Sequence, residues 1–260
     1  MSELVILLPE QPPLRLEDAS ATEVLVVTLL QVVLVLGTVR LLGPLPGTDR
    51  GGLWPLVVPE HYSTRVSGHP FDPYSINHVN HGIGGFLMAW LLGLDMATGL
   101  LFTIASSMMW EILENSDFVI NRYRQYEGPS EHYEGDSKIN AAFDVLSCGL
   151  GFAGALLAST WGGPWAGLAW FLGTETLMGL VWRDNMVLQI IQLTCHSSSI
   201  AAWQLEIVPG EYRSSSRLLQ TLVPPGQDGR LEDKVLDRLE RLGHTRPLGT
   251  IRTMAPASSQ

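Results

Sequence analysis

Apolar residues in this chain come in long uninterrupted runs, and the polar residues between them are bunched rather than alternating. Runs over 24–42, 78–94, 96–119, 139–161 and 165–182 are long enough to approach or match the thickness of a bilayer core. The pattern predicts an all-α polytopic membrane helix bundle with about five transmembrane helices. Over 186–205, Gln189, Gln192, His196 and Ser199 return at helical spacing, which predicts a helix lying at the interface, with a sixth crossing as the alternative. A Pro- and Gly-rich loop occupies 43–77, with Trp54 as an interfacial anchor, and a loop of about twenty residues over 120–138 joins the third and fourth spans. Three parts follow: a polar N-terminal tail (1–22), a membrane helix-bundle domain (23–205) and a polar C-terminal tail (206–260). Within that tail Leu231, Val235, Leu239 and Leu242 form one stripe, a short amphipathic helix suited to docking a protein partner.

Composition strengthens the membrane expectation. Of the 260 residues 46% are hydrophobic and only 16% charged, with a mean hydropathy of +0.17; a soluble domain carries about a quarter charged residues. The net charge of −10 argues against nucleic acid as a partner, because phosphate binding needs a basic surface. Cys148 and Cys195 both lie in apolar stretches and imply no disulfide framework. The first residues lack the basic segment of a signal peptide. Five spans put Arg50, Arg65, Arg122, Arg124, Lys138 and Arg183 on one side against Arg15 on the other. The positive-inside rule makes the richer side cytoplasmic, or its organellar equivalent, and the N-terminus external. The expected location is a bacterial inner membrane or an organellar membrane.

Acids and histidines gather at the basic side. Glu111, Glu114 and Asn115 share a helix face, as do Asp136, Asn140 and Asp144 at intervals of four, and His78 and His81 lie one turn apart. A carboxylate in a membrane helix costs about 2.5–3.5 kcal/mol on insertion scales, so the cluster calls for a compensating interaction. Imidazoles and carboxylates without thiolates suit a divalent Zn, Fe or Mn ion. In that arrangement His78, His81, Glu111 and Asp136 hold the metal and Glu114 or Asp144 acts as general base. His69, Asp72, Asn115, Asn140, Arg122, Arg124, Arg183, Asp184 and Asn185 line the same site. Glu175, mid-span, is a proton-path member or the back wall of the site. The spacing matches no metal motif of known mechanism. Two other accounts stand beside the metal: a polar network that fixes helix packing, with Asp136 or Ser137 as a helix cap, and ligand binding without metal. Arg122 and Arg124, flanking Tyr123, can grip a phosphate head group, but positive-inside charge also explains them.

The motifs also carry a resemblance. S-x-H-x-x-D-x-Y-S at Ser67–Ser75, H-x-x-H-G at His78–Gly82 and W-E-x-x-E-N-S at Trp110–Ser116 are followed by R-Y-R at Arg122–Arg124. Then come Y-x-G-D-S-x-x-N-x-x-x-D at Tyr133–Asp144 and R-D-N-x-x-L at Arg183–Leu188. Together they resemble an uncharacterised bacterial inner-membrane family of unknown function, over about 67–205. In pattern alone, His on one helix, Glu on the next and acid with Asn on a third are similar to VanZ-like membrane proteins. The resemblance implies the architecture and the site but no reaction. Two functions follow as expectations: a metal-assisted hydrolase or transferase acting on a membrane lipid or isoprenoid, or a non-catalytic assembly subunit or lipid-binding module. A proton or ion pathway through Glu175 is a third. Under the first, His78 or His81, Glu111 and one of Asp136, Asn140 and Asp144 line a single cavity rimmed by Arg183, Asp184 and Asn185.

Overall fold

A computed structural model describes residues 51–61, 65–126 and 133–205, with Val33, Gly37 and Ile207 besides. Apart from these three, the expected first span, both tails and the amphipathic stripe at 231–242 lie outside the described residues. Among those described there are seven helices: α1 (Ser75–Leu92), α2 (Met96–Glu114), α3 (Asp117–Tyr126), α4 (Lys138–Gly162), α5 (Pro164–Val181), α6 (Met186–Cys195) and α7 (Ser198–Leu205). The all-α class holds. Two of the seven, α2 and α4, are long and apolar enough to cross a bilayer, with mean hydropathies of 1.4 and 1.7. Helices α1 and α5, the other two expected spans among these residues, are each 18 residues long. Asn77, His78, Asn80 and His81 dilute the apolarity of α1, and Thr174 and Glu175 that of α5.

Two boundaries differ from expectation, each for a local reason. The third apolar run does not continue to 119. Helix α2 stops at Glu114, and Ser116 starts a new helix by accepting the Val119 N–H on its hydroxyl at 3.4 Å. Helix α3 therefore occupies the start of what reads as a long loop. Likewise 186–205 is two helices, not one. Gln192 folds back to accept the Ser197 N–H at 2.7 Å, and Ser197 begins α7.

The described residues form two compact units. The first gathers Tyr74–Ile112 and Ala141–Thr174. Its centre is Ile83, Phe86, Ala89, Phe152, Ala155 and Leu156, with Phe86 and Phe152 edge to face at 5.8 Å. Contacts fix the register. Helix α2 runs antiparallel to α1, since Ala89 meets Gly99, Gly85 meets Thr103, His81 meets Ser106 and His78 meets Glu111. Helix α4 runs parallel to α1, since His78 faces Asp144, Gly82 faces Cys148 and Phe86 faces Phe152, one turn at a time. The α1–α4 approach is very close: a Cβ on Gly82 would lie 1.9 Å from the Cys148 carbonyl oxygen, and one on Gly151 2.0 Å from that of Val79. Small residues at this crossing let the two backbones approach, as they do in membrane helix pairs.

The second unit gathers the described parts of Leu42–Pro73, Leu113–Asn140 and the residues from Glu175 onward. A parallel bridge joins Val57 to Phe71, and α3 packs on α6.

Gly82→Ala and Gly151→Ala should each destabilise the protein by about 2 kcal/mol or more, because the new methyl meets main chain that cannot yield. Gly84, with nothing within 4 Å of its would-be Cβ, is the control; Gly84→Ala should be neutral or stabilising, by up to about 1 kcal/mol. Thermal melts of the three variants in detergent check the ordering.

Candidate functional site

His78 sits in the first turn of α1 with a carboxylate near each ring nitrogen. Glu111 Oε1 lies 3.3 Å from Nδ1, and Asp144 Oδ2 lies 3.8 Å from Nε2. Asp144 Oδ1 accepts a hydrogen bond from the Ser75 hydroxyl at 3.2 Å. The register described above brings these groups together from three helices, and all are buried, Glu111 completely. Glu114 stands one turn beyond Glu111 on α2 and is half-buried. Single ligand atoms of His78, Glu111 and Glu114 all lie within 4.8 Å of one another, a group that could hold a metal ion. Two ligands at 2.0–2.1 Å from a tetrahedral ion stand about 3.3 Å apart, and the His78–Glu111 separation matches. One imidazole and two carboxylates form a nitrogen-and-oxygen donor set suited to Zn, Fe or Mn.

The remaining expected site residues have partners of their own. His81 Nε2 pairs with the Ser106 hydroxyl at 2.8 Å. Asp136 accepts from Asn115 Nδ2 at 2.9 Å and from the Tyr133 hydroxyl at 2.8 Å, while its own N–H donates to Asn115 Oδ1 at 2.6 Å. Burial pushes the Asp136 carboxyl up, and hydrogen bonds from Ser67, Tyr133 and Asn115 work against that. Burial, and then the charge of Asp136, raise the Tyr133 phenol well above its ordinary value, so it stays a donor. Ser137 caps α4 by accepting the Asn140 N–H at 3.0 Å. Asn140 Nδ2 donates to the His69 carbonyl at 2.9 Å, and Asp72 accepts the N–H of Ser67, whose φ of 62° is left-handed. His69 Nδ1 lies 3.2 Å from the Arg65 carbonyl.

The arginines also end on main chain. Arg122 Nε donates to the Leu193 carbonyl near the end of α6, and Arg124 Nε to the Tyr133 carbonyl. Arg183 donates to the Trp203 carbonyl at 2.7 Å and lies 5.2 Å over the Trp203 ring. Asn185 caps α6 by accepting the Leu188 N–H at 2.8 Å and donates to the Glu175 carbonyl at 2.9 Å. Glu175, expected on a proton path, accepts the Val187 N–H at 3.1 Å, an acid placed at a helix N-terminus. Asp184 lies 3.9 Å from His61 and 3.5 Å from Gln189. Ser75, Ser106 and His61 were not expected at these positions. Ser75 alone carried a usable signal, lying three residues before His78 on the same face.

A family of proteins of unknown function, DUF2585, matches residues 48–206 of this chain. The chain belongs to the DUF2585 family. A UPF0314 protein of Paracoccus denitrificans is 33% identical over 147 residues, covering 56% of this chain and 74% of the relative. A UPF0314 protein of Rhizobium meliloti is 36% identical over 155 residues, 58% of this chain and 74% of the relative. One from Agrobacterium fabrum is 34% identical over 140 residues, 53% and 68%. No solved structure matches. In this DUF2585 chain the matched segment contains every side chain of the His78 cluster.

His61, in the second unit, gives the fold a pH dependence. It is buried, stacks on Trp182 at 5.2 Å, and burial lowers its pKa from 6.5 to about 4. The Asp184 carboxylate favours the charged ring, but loss of water outweighs it. The folded protein therefore binds fewer protons than the unfolded chain. This contribution is complete above about pH 6.5 and is lost as pH falls towards 4, at most about 3 kcal/mol. Melting temperature should drop across that window, and His61→Gln should flatten the drop relative to wild type.

Proposed function

We propose that this chain is a polytopic membrane protein that holds a divalent cation through His78, Glu111 and Glu114. We further propose that it uses the ion in hydrolysis or group transfer on an amphiphilic lipid or isoprenoid at the cytoplasmic-side interface. The ligand grouping carries this reading. A cation there offsets buried carboxylates that would otherwise be costly. When bound, it would polarise a carbonyl or phosphoryl oxygen or activate a water. Half-buried Glu114 is the ligand nearest to solvent, and so the one placed to exchange protons with a substrate.

The membrane part is supported by large apolar side chains exposed around the first unit, which also buries polar groups beside its apolar centre. Asn80, Ser107 and Glu111 are fully buried, whereas Phe102, Met109, Leu150 and Leu157 are each more than half exposed. A lipid surround favours such exposed apolar side chains. Exposed Trp161 and Trp165 flank the turn between α4 and α5, where an interfacial anchor belongs.

The second reading is a non-catalytic assembly or lipid-binding module, with a partner docked on the C-terminal tail. The many motif side chains that end on backbone groups favour it.

Carbonate extraction of host membranes should leave the chain in the pellet; release into the supernatant would sink the membrane part. Protein purified in detergent without chelators should carry near-stoichiometric Zn, Fe or Mn by elemental analysis. His78→Ala and Glu111→Gln should lose the metal, while His81→Ala keeps it. Metal-free wild-type protein that also takes up none of the three when they are added would leave the module reading standing.

A further inference from the structure

A metal ion occupies one nitrogen of an imidazole, and the other nitrogen, protonated, must then donate to an acceptor. In this structure the two nitrogens of His78 face different carboxylates. Nδ1 is 3.3 Å from Glu111, which shares a helix face with Glu114. Nε2 is 3.8 Å from Asp144, whose other carboxylate oxygen already accepts the Ser75 hydroxyl at 3.2 Å. The Nδ1 side has the separation of two ligands on one ion. The Nε2 side has an acceptor tied down from behind by a second side chain, a few tenths of an ångström beyond a hydrogen bond.

We propose that His78 binds the cation through Nδ1, together with Glu111 and Glu114, while its Nε2–H donates to Asp144, a positioning residue that Ser75 holds in place. The proposal rests on the metal reading above and adds to it the coordinating nitrogen and a role for Asp144. The hydrogen bond fixes the tautomer and the ring's rotation and makes Nδ1 a better donor. Asp144 then acts through the ring and does not touch the ion. Helices α1 and α4, which approach closely at Gly82, are what present the carboxylate to the ring.

The test uses the full chain in detergent, stripped of metal and titrated with Co2+, followed by visible absorption. Wild type should bind, with bands that report its ligand set. Glu111→Gln should abolish binding in that mode. Asp144→Asn and Asp144→Ala should leave the bands in place and weaken binding about 10–100-fold, with a smaller loss for Ser75→Ala. A merely structural role for Asp144 would lower melting temperature without moving the affinity of the folded fraction. Wild type that binds no Co2+ overturns the metal reading itself. Wild type that binds while the Asp144 and Ser75 variants bind equally well overturns only the positioning role. If Asp144→Ala abolishes the spectrum and Glu111→Gln merely weakens binding, the ion sits on Nε2 and the assignment is wrong. Should the Asp144 variants fail to fold, Ser75→Ala decides: unchanged Co2+ affinity in that variant overturns the proposal.

Discussion

The near-contact of α1 and α4 backbones is the constraint on which the first unit depends. At Gly82 and Gly151 there is no room for a methyl group on either side, so the two helices cannot slide or rotate without a clash. That crossing sets a register repeated one turn at a time, with His78 opposite Asp144 and Phe86 opposite Phe152. The aromatic pair closes the apolar centre and the ionisable pair lies two turns away. The glycine that follows His81 in the H-x-x-H-G motif is therefore part of the site, although it carries no chemistry: it determines how far His78 stands from its acid.

Burying Glu111 and Asp144 around one imidazole is costly wherever water is excluded. Hydrogen bonds answer part of that cost, and Ser75 supplies one of them. The rest can come from a proton, on the ring or on a carboxyl. Under the proposed reading it would come from a divalent ion that engages Glu111 and Glu114 with His78 and leaves Asp144 for the ring's other nitrogen.

Helix positions were legible in the sequence because apolar runs report length and the glycine and proline turns report ends. The break after Glu114 was legible only in retrospect: Asn115, Ser116 and Asp117 have the residue types of a helix start, but the apolar Phe118 and Val119 behind them extend the hydrophobic run. The same competition hid the break at Ser197, where a buried Gln192 imitates one member of a surface stripe. The site was legible in part. Spacing by three and four placed Glu111 with Glu114 and put Asp144 on an inward face, but it does not say which of His78 and His81 turns towards them. That depends on rotation about α1, which the glycine crossing sets. His81, one turn away, points to Ser106 instead.

The polar motif residues separate into two kinds, and the separation bears on function. Asp72, Asn115, Ser137, Asn140, Glu175 and Asn185 each engage a backbone group: they start helices, hold a left-handed residue or tie loops down. A side chain so used is fully accounted for by the fold, because its loss exposes a buried N–H or C=O. His78, Glu111 and Asp144 engage one another instead, from three helices. Three apolar side chains would pack the same space at lower cost. Chemistry is therefore best sought where ionisable side chains from several helices meet, and among the described residues the imidazole of His78 is such a place.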